Sequence, residues 1–202
     1  PENGKSYRLA EDGLALPVKR LPGLALPDGD HLLDGEPLPL HLVELVQHIW
    51  LNRTRPEARV LYFPKLENDE EAEYLACAIG ASERAIQRRF PDYPLGTVRV
   101  ILVFENPRAI FRIQEMGEAL HPYFLGGSLG WHDFLASTAR LFRFDAEYRI
   151  PVKSDPDIVI RNIRESHDIL VRELKEAGAL KIGGMYGILY QSGDLESFAA
   201  CM

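Results

Sequence analysis

Short apolar runs alternate with stretches of helical periodicity along most of this chain, and that alternation limits the fold more than any other feature. The clearest run, Val98–Phe104, is almost entirely β-branched or apolar with only Arg99 polar, which is typical of a buried β-strand. Similar runs at Val60–Phe63 and Tyr123–Leu129 are separated from it by helical patterns. Strands that alternate with helices indicate a parallel sheet covered by helices.

The remaining patterns extend the same order toward both ends of the chain. Helices are predicted where apolar residues recur every three to four positions, and strands where short apolar runs are bounded by Pro or Gly. The predicted helices are Leu42–Trp50, Glu70–Arg89, Ala109–Leu120, Phe134–Leu141 and Ile158–Ala177, which is stopped by Gly178. The other strand candidates are Leu14–Val18, Tyr148–Val152 and Ala179–Ile182, and a Pro- and Gly-rich loop is expected from Leu21 to Pro39.

The number of strands leaves two α/β architectures open. A closed (β/α)₈ barrel of the TIM type needs eight strands and typically about 250 residues. This chain has 202 residues and about six strand candidates, so as a barrel it would be short by roughly one strand at each end. On periodicity alone, a doubly wound open sheet is the alternative.

Composition excludes several classes of protein. The net charge is −7 and the Lys and Arg residues are scattered, whereas a nucleic-acid-binding protein needs a basic stripe. The two cysteines, Cys77 and Cys201, form no Cys-x-x-Cys pair, which argues against a zinc knuckle or a disulfide framework. No apolar run approaches the ~20 residues of a membrane span. We therefore expect a cytoplasmic protein, and the first residue, Pro1, suggests a piece of a longer gene product.

Polar or Gly-rich groups follow several of the predicted strands. They are Lys19 with Arg20, Lys65 with Glu67, Glu105 with Asn106, and the segment Gly130–Asp133. Ligands of parallel α/β folds bind at the carboxyl ends of the strands, and two carboxylates there could share one Mg²⁺ ion. A carboxylate after a strand can equally cap the next helix. Spacing alone therefore leaves both roles open for Glu105 and favours capping for Asp133.

Five short motifs occur in the order and approximate spacing of one enzyme family. The motifs are Gly4–Leu9, Asp34–Pro37, Phe63–Glu67, Val103–Glu105 and Gly183–Met185. On these residues the chain resembles malate synthase of the A type, within the superfamily that also holds CoA-ester lyases and aldolases. The resemblance extends from about Asn3 to about Asp194.

The resemblance implies a fold and a chemistry. Malate synthases are (β/α)₈ barrels, transferases of the glyoxylate cycle that condense acetyl-CoA with glyoxylate and then hydrolyse the thioester. By similarity, Glu105 and Asp133 would hold Mg²⁺, which chelates glyoxylate and polarises its carbonyl. Arg20 would be catalytic, because a guanidinium group can stabilise the enolate of acetyl-CoA and the developing alkoxide. Without the family, Arg20 reads as an ordinary arginine at a strand end.

Further residues are assigned by the same similarity. Lys65 and Glu67 would orient the site residues rather than touch substrate. Gly184, Met185 and Tyr190 would lie near the CoA channel, although a Gly pair after a strand is also ordinary turn chemistry.

The chain departs from the family at several of these positions. Gly130-Trp131-His132-Asp133 stands where the family has Gly-Arg-Trp-Asp, so the metal carboxylate is kept while its neighbours change. Asn106 replaces a Thr, and Tyr190 stands where the family usually has a Pro. Whether these changes affect activity depends on the geometry of the site.

The ends of the chain differ from the family more strongly. Residues 1–202 are expected to be the central part of the barrel, without counterparts of the first strand, the last strand and the C-terminal domain that carries the catalytic base. The leading interpretation is a Mg²⁺-dependent acyltransferase that lacks this base. The alternatives are a CoA-ester C–C lyase or aldolase of the same superfamily, and a catalytically inactive relative that acts as a binding or assembly subunit.

Overall fold

A parallel five-stranded sheet forms the centre of the molecule. The computed structural model describes residues 8, 13, 15–148, 156–184, 193 and 196, except for the side chains of 156–162. The strand order is β1-β4-β5-β6-β7. The strands are β1 (Lys19–Arg20), β4 (Val60–Pro64), β5 (Arg99–Phe104), β6 (Phe124–Leu129) and β7 (Leu180–Ile182).

The three central strands match the sequence-based expectation. Strands β4, β5 and β6 are adjacent and parallel, with Leu61 opposite Val100 and Val103 opposite Ser128. Their carboxyl ends therefore lie at one edge of the sheet. The prediction that these apolar runs form neighbouring parallel strands is confirmed.

Helices follow most strands and cover one face of the sheet. They are α1 (Leu40–Leu51), α2 (Asp69–Arg89), α3 (Pro107–Ile110), α4 (Ile113–Ala119), α5 (Trp131–Leu141) and α6 (Pro156–Glu176), and a 3₁₀ turn spans Pro56–Arg59. The start of α2 shows why these boundaries form: the Asn68 side chain accepts a hydrogen bond from the Glu71 backbone N–H, which satisfies one of the free donors of the first turn. Helix α6 ends before Gly178, whose φ of +64° suits glycine.

Alternate side chains of β5 are buried on the two faces of the sheet, in different surroundings. Val100, Leu102 and Phe104 join the buried apolar cluster between the sheet and the helices. Ile101 and Val103 are also buried but lie outside that cluster, because alternate side chains of a strand point to opposite faces. The second face leads toward the candidate site, since Val103 lines its cavity.

The first strand is not where the apolar run suggested. Residues 15–18 form no strand, and Leu16 and Val18 are exposed. Instead Lys19 and Arg20 are themselves the strand, opposite Leu61 and Tyr62. Pro17 explains the shift, because proline has no N–H group to donate to a neighbouring strand.

The expected loop from Leu21 to Pro39 contains a β-hairpin. Strands β2 (Pro27–Leu33) and β3 (Glu36–Pro39) pair antiparallel in a separate two-stranded sheet. Its turn consists of Asp34 and Gly35, both with positive φ, at 52° and 87°. An Asp-Gly pair is a strong hairpin signal, which the prediction of a loop overlooked.

Two further expectations had different outcomes. The predicted helix Ala109–Leu120 is divided into α3 and α4 by a break at Phe111 and Arg112. Of the predicted weak strand Tyr148–Val152, all residues after Tyr148 lie outside the described part of the chain. Strands β1 and β7 end the sheet within the described part of the chain, and the expectation of an incomplete, open eight-stranded barrel stays a prediction. Over these same residues, no helix is both long and apolar enough to span a membrane.

Candidate metal and substrate site

A cavity of about 420 Å³ lies at the carboxyl edge of the sheet and collects the chemically active side chains. Arg20 reaches it from β1, Glu105 from the end of β5, Asp133 from the first turn of α5, and Gly184 from the segment after β7. Four of the eight residues that the sequence assigned to a site are thus brought together around one space. This is the edge where α/β folds bind their ligands.

Glu105 is the most constrained side chain of the site. It follows β5 directly and is only 5% exposed. Its backbone carbonyl accepts a hydrogen bond from the Ser137 hydroxyl at 3.0 Å, which ties the loop to α5. Its carboxylate atom Oε2 is buried and has no hydrogen-bond partner. A buried carboxylate oxygen without a partner is costly, and it needs a cation or a donor from a ligand.

Glycine at position 130 makes room for this carboxylate. A Cβ atom there would lie 2.4 Å from Glu105 Cγ and 2.9 Å from Glu105 Oε1. The backbone of Gly130 has a φ of −86°, which other residues adopt freely. The requirement for glycine is therefore steric and comes from the close approach of Glu105.

The environment of Glu105 favours its protonated form. Burial is the largest influence and raises the pKa of the carboxyl group above its ordinary value of 4.5. The Lys65 ammonium group lowers this pKa, the Asp133 carboxylate raises it, and the Arg20 guanidinium group lowers it. A divalent cation bound beside Glu105 would stabilise the ionised carboxylate and offset the cost of burying its charge.

The capping role that competed with metal binding is not filled by Glu105 or Asp133. The Asn106 side chain caps α3, where it accepts hydrogen bonds from the backbone N–H groups of Arg108 and Ala109 at 2.8 and 3.0 Å. Helix α5 begins after Gly130 without any side-chain cap. Asp133 lies in the first turn of α5 with its side chain half exposed, directed to Lys65. Neither carboxylate serves as a cap.

Lys65 lies between the two carboxylates. Its Nζ atom is 3.1 Å from Asp133 Oδ2 and 4.0 Å from Glu105 Oε2. The residue follows β4 with a φ of +64°, a conformation that is uncommon outside glycine and is often found at functional sites. The sequence predicted that Lys65 orients the site residues, and its ammonium group lies close to both candidate metal ligands, nearer to Asp133 than to Glu105.

Arg20 borders the same carboxylate from the other side. Its Nη2 atom lies 3.8 Å from Glu105 Oε1, and its guanidinium carbon lies 6.0 Å from the ring centre of Tyr62. The side chain is 58% exposed, so much of it faces open space. Such a guanidinium group can donate to an anionic ligand in the cavity.

The donor set suits a magnesium ion. Mg²⁺ is commonly bound by one or two carboxylates together with water and substrate oxygens. Glu105 and Asp133 supply two carboxylates, and the Oε2 atom of Glu105 has no hydrogen-bond partner. The Lys65 ammonium group lies between the two carboxylates, where a metal cation would also be attracted. Within the described part of the chain, no group of three or more His, Cys, Asp or Glu residues could hold a metal.

Of the other residues that the sequence singled out, those that the structure describes are not part of the charged cluster around Glu105. Gly184 lies against the carbonyl oxygen of Leu129, where a Cβ atom would be 2.9 Å away. Met185 and Tyr190 lie outside the described residues. Glu67 is exposed and lines a different cavity, so the structure separates it from Lys65. His132 lines the site with its ring stacked on that of Trp131.

Sequence comparison supports the resemblance to malate synthase. The chain is 24% identical to malate synthase A of Escherichia coli (strain K12) over 188 residues, which cover 91% of this chain and 34% of that protein. It is 25% identical to the glyoxysomal malate synthase of Brassica napus over 190 residues, which cover 90% of this chain and 32% of that protein. No family model matches the chain. The chain thus spans about a third of the length of these curated relatives.

Solved structures show the same fold. The lead(II) complex of Haloferax volcanii malate synthase superposes with a TM-score of 0.56 at 12% identity and covers 81% of this chain and 42% of that protein. The pyruvate/acetyl-CoA ternary complex of the same enzyme gives a TM-score of 0.51 at 12% identity, covering 74% of this chain and 38% of that one. The chain is therefore an α/β protein that is similar to malate synthases in sequence and in fold.

Proposed function

We propose that this chain forms the metal- and oxo-acid-binding part of a Mg²⁺-dependent malate synthase-type acyltransferase, which condenses acetyl-CoA with glyoxylate. The observation that carries the proposal is the buried Glu105 carboxylate, whose free oxygen faces the same small space as Asp133 and Lys65. A site of this kind is suited to a cation and a small anionic substrate. The similarity to malate synthases supports the choice of substrates.

Each side chain has a defined part in this chemistry. Glu105 and Asp133 would hold Mg²⁺, which when bound supplies the Lewis acidity that polarises the aldehyde of glyoxylate. The Arg20 guanidinium group stabilises the enolate oxygen of acetyl-CoA and the alkoxide that forms after attack. Lys65 balances the charge of the two carboxylates. The Gly130 backbone allows Glu105 to stay in place.

The proton on the methyl group of acetyl-CoA needs a base. We assign this role to none of the described residues, because both carboxylates at the cavity are used by the cation. A positioned base typically contributes a factor of 10²–10⁴ to the rate. By the resemblance to malate synthase, that base would belong to the family's C-terminal domain.

The cellular setting is proposed on the same similarity. It is a cytoplasmic location and a role in the glyoxylate cycle, although the Brassica napus relative is named glyoxysomal.

Condensation is tested by the release of free CoA thiol from acetyl-CoA in the presence of glyoxylate and Mg²⁺, with malate as the product. Where wild type shows condensation above background, Glu105→Gln and Asp133→Asn should each lower the rate on the order of 100-fold or more, because several kcal/mol of charge stabilisation depend on the cation. Glu115→Gln, an exposed acid on α4, is the matched control and should keep the rate. Condensation above background in wild type with equal rates in all variants would refute the proposal.

The same variants separate the alternatives. Cleavage of a 3-hydroxyacyl-CoA ester without net thioester hydrolysis would identify a C–C lyase. Mg²⁺-dependent glyoxylate binding without either reaction would identify a binding subunit.

A further inference from the structure

A second cavity of about 350 Å³ lies beside the candidate site but shares none of its lining residues. It opens between the end of β4, the start of α3 and the C-terminal half of α5. Its polar lining residues are Glu67, Asn106, Arg108, Ser137, Arg140 and Arg143. The proposed function uses none of the three arginines.

The residues that line this cavity carry more positive than negative charge, whereas the chain as a whole is negatively charged. Three arginines and one glutamate line the cavity, in a protein whose net charge is −7. Over the residues that the structure describes, Arg108, Arg140 and Arg143 form no salt bridge with any Asp or Glu. Exposed arginines are ordinarily solvated, but three of them around one cavity also concentrate positive charge where an anion could enter.

One of the three arginines is partly held in place. Arg143 donates a hydrogen bond to the carbonyl oxygen of Arg140 at 2.9 Å, and its guanidinium carbon lies 4.4 Å from the ring centre of Phe144. A donor that is held in place loses less conformational entropy when an anion binds.

We propose that this cavity binds a small phosphorylated ligand that also carries hydroxyl groups. Guanidinium groups match phosphate oxygens with paired hydrogen bonds, and several of them favour a dianion over a single carboxylate. Glu67 would repel a bare anion, but its carboxylate accepts hydrogen bonds from hydroxyl groups. Leu141 adds an apolar wall, and the volume falls within the usual range of about 300–1,000 Å³ for small-molecule sites.

The probe for calorimetric titration is ribose 5-phosphate, with inorganic phosphate and ribose as its two halves, at about 0.15 M salt to screen diffuse surface attraction. Ribose 5-phosphate should bind at least tenfold more tightly than inorganic phosphate, and ribose alone should not bind. Arg108→Gln and Arg140→Gln should each weaken ribose 5-phosphate binding about tenfold, the cost of one lost charge-assisted hydrogen bond. Glu67→Gln should reduce the advantage of ribose 5-phosphate over inorganic phosphate.

The control is Arg88→Gln, which removes an equally exposed arginine on α2, away from the cavity, and should leave binding unchanged. Circular dichroism of each variant checks that the fold is kept. No binding of ribose 5-phosphate, or equal weakening by Arg88→Gln, would overturn the proposal. So would an affinity for inorganic phosphate equal to that for ribose 5-phosphate. Because Mg²⁺ binding at Glu105 is measured separately, failure here leaves the proposed function unaffected.

Discussion

Replacing Gly130 with alanine tests the close approach on which the candidate site depends. The added methyl group would lie 2.4 Å from Glu105 Cγ and 3.0 Å from Val103 Cγ1. Carbon atoms at optimal separation are about 3.5–4.0 Å apart, so the contact with Glu105 is short by more than 1 Å. The backbone conformation of Gly130 is allowed for alanine, which leaves the steric overlap as the only cost.

The expected magnitude follows from how little room Glu105 has. Overpacking a close-packed site typically costs about 1–3 kcal/mol. Glu105 is 5% exposed and cannot move aside without losing its packing. We therefore expect Gly130→Ala to lower the free energy of unfolding by about 1–3 kcal/mol and to weaken Mg²⁺ binding.

Urea denaturation of a double-mutant cycle measures this effect. In a Glu105→Ala background the closest clash partner is gone and only the 3.0 Å contact with Val103 Cγ1 remains, so Gly130→Ala should cost clearly less, with a coupling energy of about 1 kcal/mol or more. Gly183→Ala is the matched control, because Gly183 lines the same cavity and a Cβ atom there meets nothing within 4 Å. The reasoning is refuted if both alanine variants cost the same, or if the penalty at position 130 persists without Glu105.

Three further predictions concern charge. Lys65→Met should tighten Mg²⁺ binding about tenfold in calorimetry, because it removes a positive charge next to both carboxylates; weaker binding would show that Lys65 supports the cation instead. Because the folded-state pKa of Glu105 is raised above 4.5, the folded protein holds a proton that the unfolded chain releases. The free energy of unfolding of wild type should therefore fall relative to that of Glu105→Gln as the pH rises from 4.5 through the raised pKa, and parallel pH profiles would contradict this. Glu83→Ala should destabilise the protein by about 3 kcal/mol or more with unchanged Mg²⁺ affinity, because the buried carboxylate accepts hydrogen bonds from the backbone N–H groups of Gly96, Thr97 and Val98.

The central strands and the long helices could be predicted because their signals are local. The run Val98–Phe104 is apolar along its whole length, and β5 occupies Arg99–Phe104. The helix Glu70–Arg89 has an apolar stripe and an Asn cap, and α2 begins one residue earlier. The Asp34-Gly35 turn was also local, so that hairpin could have been found from the sequence.

Other features depend on contacts between distant parts of the chain. The break between α3 and α4 has no Pro or Gly to mark it, and Arg112 forms a salt bridge at 2.9 Å with Asp69 of α2. A tertiary contact of this kind leaves no periodic signal.

Part of the candidate site could be predicted from the sequence, and part of it could not. Strand order brings the ends of β5 and β6 together, so Glu105 and Asp133 could be paired from sequence and resemblance. The direction of the Lys65 side chain could not, because it depends on a backbone conformation with positive φ that lysine rarely adopts. The bond from Ser137 to the carbonyl oxygen of Glu105 had no sequence signal either.

Calorimetric titration with Mg²⁺ tests the central claim most directly. Wild type should bind one Mg²⁺ ion, and Glu105→Gln, which is close to isosteric, should weaken that binding strongly while the unfolding transition stays intact. Asp133→Asn should do the same, and Glu115→Gln should match wild type. Equal Mg²⁺ affinity in wild type and Glu105→Gln would contradict the metal site and, with it, the proposed chemistry.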